Sequence, residues 1–411
     1  MKTNFLTWLF LGAIACSSCI AQKIQYTKRA KNEIREGPGN YFPLKGVLRN
    51  GARVEPRKTD GGWIDVGVKT DSGQLEGWMA KMCLQISSQK NGIGDISIPV
   101  TSLQASPAAV AAAVRGFALR YGKTTPGELD LLEQLAEHMF TPAEYAAFKK
   151  ANPAVPKEID ARTVKGNVTY ASADYQFGET EQGIGLGIAA RVAGNSLVAE
   201  SKLFNYVNML MTYLGENGGA YDHPFKVFVL NEKRLNAIAL PGGYIFITQP
   251  MLHTCENEAE LAAVLAHEMM HVVLRHGLKE MGQRKTDLQA DSAMQEMEEE
   301  LAPDTAEADL EDFAADAFDL THKPRLIEYE EEADQGAAVL LARSGYEPTS
   351  LLDMIKKIEK AVSTGEYASE DNPFAGVDFA KRYKSAKHFI EDKLEDVKGA
   401  KNKPRFDSYV K

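Results

Sequence analysis

Apolar and polar positions change period several times along this chain, and each change predicts an element. Between residues 24 and 86, short alternating runs (Gly46-Val47-Leu48, Arg53-Val54-Glu55, Trp63-Ile64-Asp65-Val66, Gly77-Trp78-Met79) are separated by Gly, Asn and Asp turns, the pattern of a small β-barrel. Periodicity lapses from Ser87, which sets a linker at residues 89–107. Helical spacing then predicts Ala108–Tyr121, a second helix from Thr125 or Pro126 to Met139, and a third capped by Thr141-Pro142. A proline-broken stretch leads to a strand at Arg162–Tyr170, and Glu181–Tyr213 carries one long helical pattern ending at Gly215. Phe225–Leu230 and Ala237–Thr248 read as strands, the second broken by Pro241-Gly242-Gly243. Asn257–Gly277, Arg325–Arg343 and Ser350–Val362 return to helical spacing, and Phe379–Val397 is amphipathic before a frayed tail.

The helix at Asn257–Gly277 carries the chemistry. Asn257 with Glu260 makes a capping-box start, and Gly277 is the expected stop. His267 and His271 are four residues apart, so both imidazoles lie on one face and reach one ion, with Glu268 beside them. This is the H-E-x-x-H zinc-hydrolase pattern. A catalytic zinc takes three protein ligands and keeps one position open. It lowers the pKa of water toward ~7, and Glu268 stands where a general base is needed. The third ligand is left open by spacing. H-E-x-x-H-x-x-G-x-x-H fails, because Leu274 replaces the glycine and Gly277 the last histidine. Glu280, Glu296, Glu298 and the acids of Glu328–Glu332 all qualify, and the well-formed helix at Arg325–Arg343 is the best source. Tyr244, Ile245, Phe246 and Ile247 are the nominated substrate strand, pairing with an extended peptide through a free edge. His223, His253 and His276 lack ligand spacing and read as structural.

Composition narrows the setting. Apolar residues at 44% and charged residues at 25% describe a soluble globular protein, and a net charge of −10 with no Lys/Arg-rich patch argues against nucleic acid as a partner. Lys2, the apolar run Phe5–Ala15 and Cys19-Ile20-Ala21 make residues 1–21 a signal peptide. The mature protein is then exported to the periplasm or cell envelope, with membrane association only if Cys16 or Cys19 is lipidated. Neither has a leucine three residues before it. Cys83 and Cys255 remain and read as single buried thiols. Residues 286–322 form an acidic insertion without Lys or Arg, read as a solvated excursion, or alternatively as a flap over the site.

Two resemblances refine this. Ile34-Arg35-Glu36-Gly37-Pro38-Gly39, Gly51, Gly61-Gly62-Trp63-Ile64-Asp65-Val66 and Glu76-Gly77-Trp78-Met79 are similar to the bacterial SH3-like domain, which implies a cell-wall or peptide ligand with Trp63 and Trp78 as landmarks. Asn236–Thr248, the Glu258–His271 block, Arg275-His276-Gly277 and Glu330-Glu331-Glu332-Ala333-Asp334 resemble the HtpX-like and CAAX-prenyl-protease-type zinc metallopeptidases, in their soluble exported branch. That resemblance implies Glu330 as third ligand to one zinc per chain and Asp334 as the carboxylate orienting a ligating histidine. It also implies Arg382 or His388 as transition-state stabiliser, although the family's His-Pro is Asn372-Pro373 here. The expected fold class is α+β: a mainly helical gluzincin-type metallopeptidase domain (108–362) with a small sheet beside the active-site helix. An SH3-like barrel (22–88) precedes it, and a helical tail (363–411) follows. The expected function is an endopeptidase acting on unfolded or misassembled envelope polypeptides. The alternative is a non-catalytic zinc-containing envelope binding or chaperone-like protein working through its SH3-like module.

Overall fold

A computed structural model describes residues 24–29, 31–70, 73–86, 140–152, 179–193, 200–277, 325–365 and 373–411, with a few isolated positions besides. The signal segment, the linker, the helix at Ala108–Tyr121, most of Thr125–Met139, the strand at Arg162–Tyr170 and the acidic insertion lie outside them.

The N-terminal alternation folds as expected. β1 (Gln25–Thr27), β2 (Asn32–Arg35), β3 (Leu44–Leu48), β4 (Arg53–Asp60), β5 (Trp63–Thr70), β6 (Gly73–Ala80) and β7 (Leu84–Gln85) form one curled antiparallel sheet in the order β3-β2-β6-β5-β4-β1-β7. Gly61 at φ 52° and Gly62 make the β4–β5 hairpin, with Asp60 opposite Trp63. Ile34, Val54, Ile64, Val66, Val68 and Met79 fill its core. Trp63 is not among them; it packs with Ala80, Cys83 and, from the larger domain, Tyr221. The two domains are joined there. Arg29 and Asp222 form a buried ion pair, Asn40 Nδ2 donates to the His223 carbonyl at 2.6 Å, and Tyr41 packs on Phe140 and Tyr145.

Thr141 caps α1 (Pro142–Lys150) through a capping box with Glu144, as its sequence predicts. The single helix expected at Glu181–Tyr213 is instead two, α2 (Glu179–Ala193) and α3 (Ser201–Gly218), ending at Gly219 rather than Gly215. Gly194-Asn195-Ser196 are weak helix formers, and Leu197 and Val198 pair with Leu230 and Val229 of β8 (Lys226–Leu230).

β8, β9 (Ala237–Ala239) and β10 (Tyr244–Thr248) form a second sheet in the order β8-β10-β9. β10 is therefore central, parallel to β8 and antiparallel to β9, and all five of its residues are buried. An unbroken Tyr-Ile-Phe-Ile-Thr run has no polar alternation because both its faces are covered. Among the described residues the edge strands are β8 and β9, so β10 offers no open edge to the extended peptide expected at Tyr244–Ile247.

After α4 (Gln249–Thr254), the motif helix is α5 (Glu258–Val273). Asn257 Oδ1 accepts from Glu260 N–H at 3.2 Å, while the Glu260 carboxylate accepts from Glu256 N–H at 2.8 Å and Asn257 Nδ2 at 2.9 Å. The helix stops before Gly277: Leu274 is the cap, and Arg275 turns the chain in the left-handed region at φ 57°. α5 packs against α3, the second sheet, α6 (Ile327–Arg343) and α7 (Ser350–Thr364). Gly336 permits the closest of these approaches, since a Cβ there would stand 2.5 Å from Met270 Sδ. α8 (Phe379–Lys393) lies on α6 and α7.

The expected frayed tail is docked. Ala400 pairs with Tyr346, Phe406 of α9 (Lys403–Val410) is fully buried, and Tyr409 stacks on Tyr206 at 4.3 Å. Arg405 Nε donates to the wholly buried carboxylate of Glu258 at 2.6 Å, and that carboxylate also accepts from Tyr206 (2.9 Å), Tyr346 (2.7 Å) and Asn402 (3.0 Å). A buried charge at the start of the motif helix thus fixes the last segment of the chain. Cys83 and Cys255 are both buried and unbridged, and no described helix is long and apolar enough to cross a membrane.

Candidate metal centre and active site

α5 presents His267, Glu268 and His271 from one stretch of helix, and the first turn of α6 brings Glu330 over them. The ligand-type atoms of His267, His271 and Glu330 lie within 4.8 Å of one another. The two Nε2 atoms are 3.0 Å apart, His271 Nε2 is 3.3 Å from Glu330 Oε1, and His267 Nε2 is 3.5 Å from Glu330 Oε2. Donors bonded to one tetrahedral zinc at its usual bond lengths stand about 3.3 Å apart, so the spacing of this trio fits such an ion. The donor set also fits: two imidazoles and one carboxylate, with a cleft on the remaining side.

Asp334, one turn after Glu330, lies 2.9 Å from His267 Nδ1. Arg382 from α8 spans both acids. Its Nε and Nη2 reach Asp334 at 2.9 and 2.8 Å, and its Nη1 reaches Glu330 Oε2 at 2.6 Å. Its donors reach these carboxylates, and the side chain also lines the cleft in front of them. His388 is exposed on α8, outside the cluster.

Burial opposes a charge on His267, but Asp334 and Glu330 outweigh it and push the pKa up to about 10. Burial brings the pKa of His271 down to about 3. Burial works against ionised Glu330 too, yet Arg382 and the two imidazoles keep its carboxyl well below the usual range. Burial raises the Glu268 carboxyl, with His267 and Arg325 opposing.

The cleft in front of these groups encloses about 820 Å³, counting its open mouth. One wall is the β9 edge, Asn236–Ala239; the other is apolar, with Met251, Val264, Met354, Ile355, Ile358 and Phe374. Asn236 and Leu240 direct their backbone bonds to β10, so alternation turns those of Ala237 and Ala239 outward. Arg325 Nη2 donates to the Ala239 carbonyl at 3.4 Å, and among the described residues no strand pairs with this side of β9.

Sequence reasoning missed Arg325 and also His276, which stands 2.9 Å from His271. Five residues from His271, His276 falls off the helical repeat; the turn at Arg275 brings it back. Only its inclusion in the Arg275-His276-Gly277 block hinted at it.

The fold and this site combine an H-E-x-x-H helix with a glutamate from a second helix beside its two histidines, a group that could hold a metal ion. Residues 201–386 match Peptidase family M48, and residues 33–85 match the Bacterial SH3 domain. The chain is 30% identical over 173 residues to the Beta-barrel assembly-enhancing protease of Yersinia pestis, covering 40% of this chain and 35% of that protein. It is 28% identical over 169 residues to the protein of that name in Escherichia coli (39% and 34%). The Mitochondrial metalloendopeptidase OMA1 of Schizosaccharomyces pombe is 36% identical over 76 residues (18% and 23%). The match spans about a third of the length of the first two relatives.

Proposed function

We propose that this chain is an exported zinc endopeptidase that cleaves polypeptides of the cell envelope, unfolded or misassembled ones above all. The observation that carries the reading is the His267–His271–Glu330 trio beside Glu268, opening onto a cleft with a free strand edge. The names of the Yersinia and Escherichia relatives support the envelope setting, and the N-terminal signal pattern supports export.

His267, His271 and Glu330 would hold the ion. A bound zinc supplies Lewis acidity that lowers the pKa of an attacking water. The chain's own residues do the rest. The outward backbone groups of Ala237 and Ala239 pair with an extended substrate, now on β9 instead of β10. The apolar wall across the cleft seats a substrate side chain. Glu268 accepts the proton of the attacking water and delivers it to the leaving amine. Asp334 orients His267, and Arg382 holds Glu330 and Asp334 in place. The non-catalytic alternative requires a fourth protein ligand closing the site; the described residues offer three and a cleft.

Purified protein should degrade casein, lose that activity to a chelator and regain it with zinc. Chelator-insensitive cleavage, or none with zinc bound, would refute the proposal. Glu330→Gln should weaken zinc binding by more than about a hundredfold, beyond the 10–100-fold typical of losing an outer partner. An unchanged zinc stoichiometry and affinity in a chelator competition would mean that another residue is the third ligand.

A further inference from the structure

The two histidine ligands are held differently, and the difference assigns a task to a residue outside the ligand set. His267 has a carboxylate, Asp334, 2.9 Å from its Nδ1. Behind His271 Nδ1 stands a second imidazole: His276 Nδ1, at 2.9 Å, with the rings 5.0 Å apart at 72°. His276 is wholly buried and stacked on Tyr329 at 4.5 Å and 12°. Its Nε2 lies 3.2 Å from Glu332 Oε2, whose side chain is 54% exposed.

Proton positions follow from the chemistry. His271 turns Nε2 toward His267 and Glu330, so as a neutral ligand it carries its proton on Nδ1. That N–H donates to His276 Nδ1. A neutral His276 then carries its own proton on Nε2 and donates it to Glu332. We propose that His276 is a positioning residue for the metal site, which fixes the tautomer and ring angle of His271 and connects it to Glu332 at the surface. This rests on the metal-site reading above. Interposing an imidazole has an electrostatic rationale. Glu268, Glu330 and Asp334 are already buried at this site, and another buried carboxylate against His271 would add like charge in a desolvated place. Through His276 the supporting carboxylate sits where water screens it.

The test is zinc affinity by competition with a chromophoric chelator, on the whole protein. His276→Phe keeps a ring over Tyr329 but removes the acceptor, and should weaken binding about 10–100-fold. His276→Asn places an amide oxygen near the Nδ1 position and should restore most of that loss, which a purely structural role for the ring would not predict. Wild-type affinity in His276→Phe would overturn the proposal. A second measurement does not depend on any variant folding: ¹⁵N-histidine NMR of the zinc-loaded wild type should find His276 protonated at Nε2, and protonation at Nδ1 alone would overturn it. Failure of the metal-site reading would show itself separately, as wild-type protein that takes up no zinc.

Discussion

Glu268→Gln is expected to lower peptide-bond cleavage by roughly 10²–10⁴-fold while leaving zinc content unchanged, the loss typical of removing a positioned general base. The exchange is nearly isosteric and touches none of the three ligand atoms. An amide cannot take a proton from water at neutral pH, whereas the carboxyl it replaces is raised by burial toward the range where proton transfer is efficient. The measurement pairs turnover of a quenched peptide with metal analysis of the same preparation. Retained turnover would assign the base elsewhere; lost zinc would make Glu268 part of the metal's support instead.

The second large effect is on stability. Arg405→Ala should destabilise the protein by roughly 3 kcal/mol, at the lower end for breaking a buried ion pair, because Tyr206, Tyr346 and Asn402 still donate to Glu258. The Arg405 guanidinium also lies 4.3 Å above the ring of Phe148, so truncation loses packing as well as charge. For a domain of this size that amounts to a fall in melting temperature of roughly 6–12 °C. Glu258→Gln in the same chain should recover part of it, since the stranded charge is then gone. A melting temperature unmoved by Arg405→Ala would mean that α9 does not hold the motif helix.

Local chemistry was legible in the sequence wherever it was periodic. His267, Glu268 and His271 share a helix whose cap and apolar spacing are plain, and the barrel strands alternate cleanly. Glu330 was not singled out by spacing, because Glu328–Glu332 are equivalent until α6 is set against α5. Only the family resemblance chose among them, and the structure places Glu330 in the trio. β10 was mistaken for an edge because its partners are decided by pairing with β8 and β9, which a single strand's residues do not encode. Arg382, 48 residues from Asp334, and Arg405, 147 residues from Glu258, are ordinary basic residues of amphipathic helices until those helices dock. His276 was hidden by a non-glycine residue in the left-handed region, a conformation that sequence rarely announces.

The clasp of Glu258 by Arg405 has a consequence for the order of events in folding. Closing a loop of that span costs only slightly more free energy than closing a short one, but contacts so far apart in sequence form slowly. The Arg29–Asp222 pair spans 193 residues and ties the first strands to the segment after α3. A chain still emerging, with residue 405 not yet made, has the His267 helix with a buried carboxylate at its head and no cation to meet it. The part of the motif helix's stability that this ion pair supplies therefore arrives only after 147 further residues have been made.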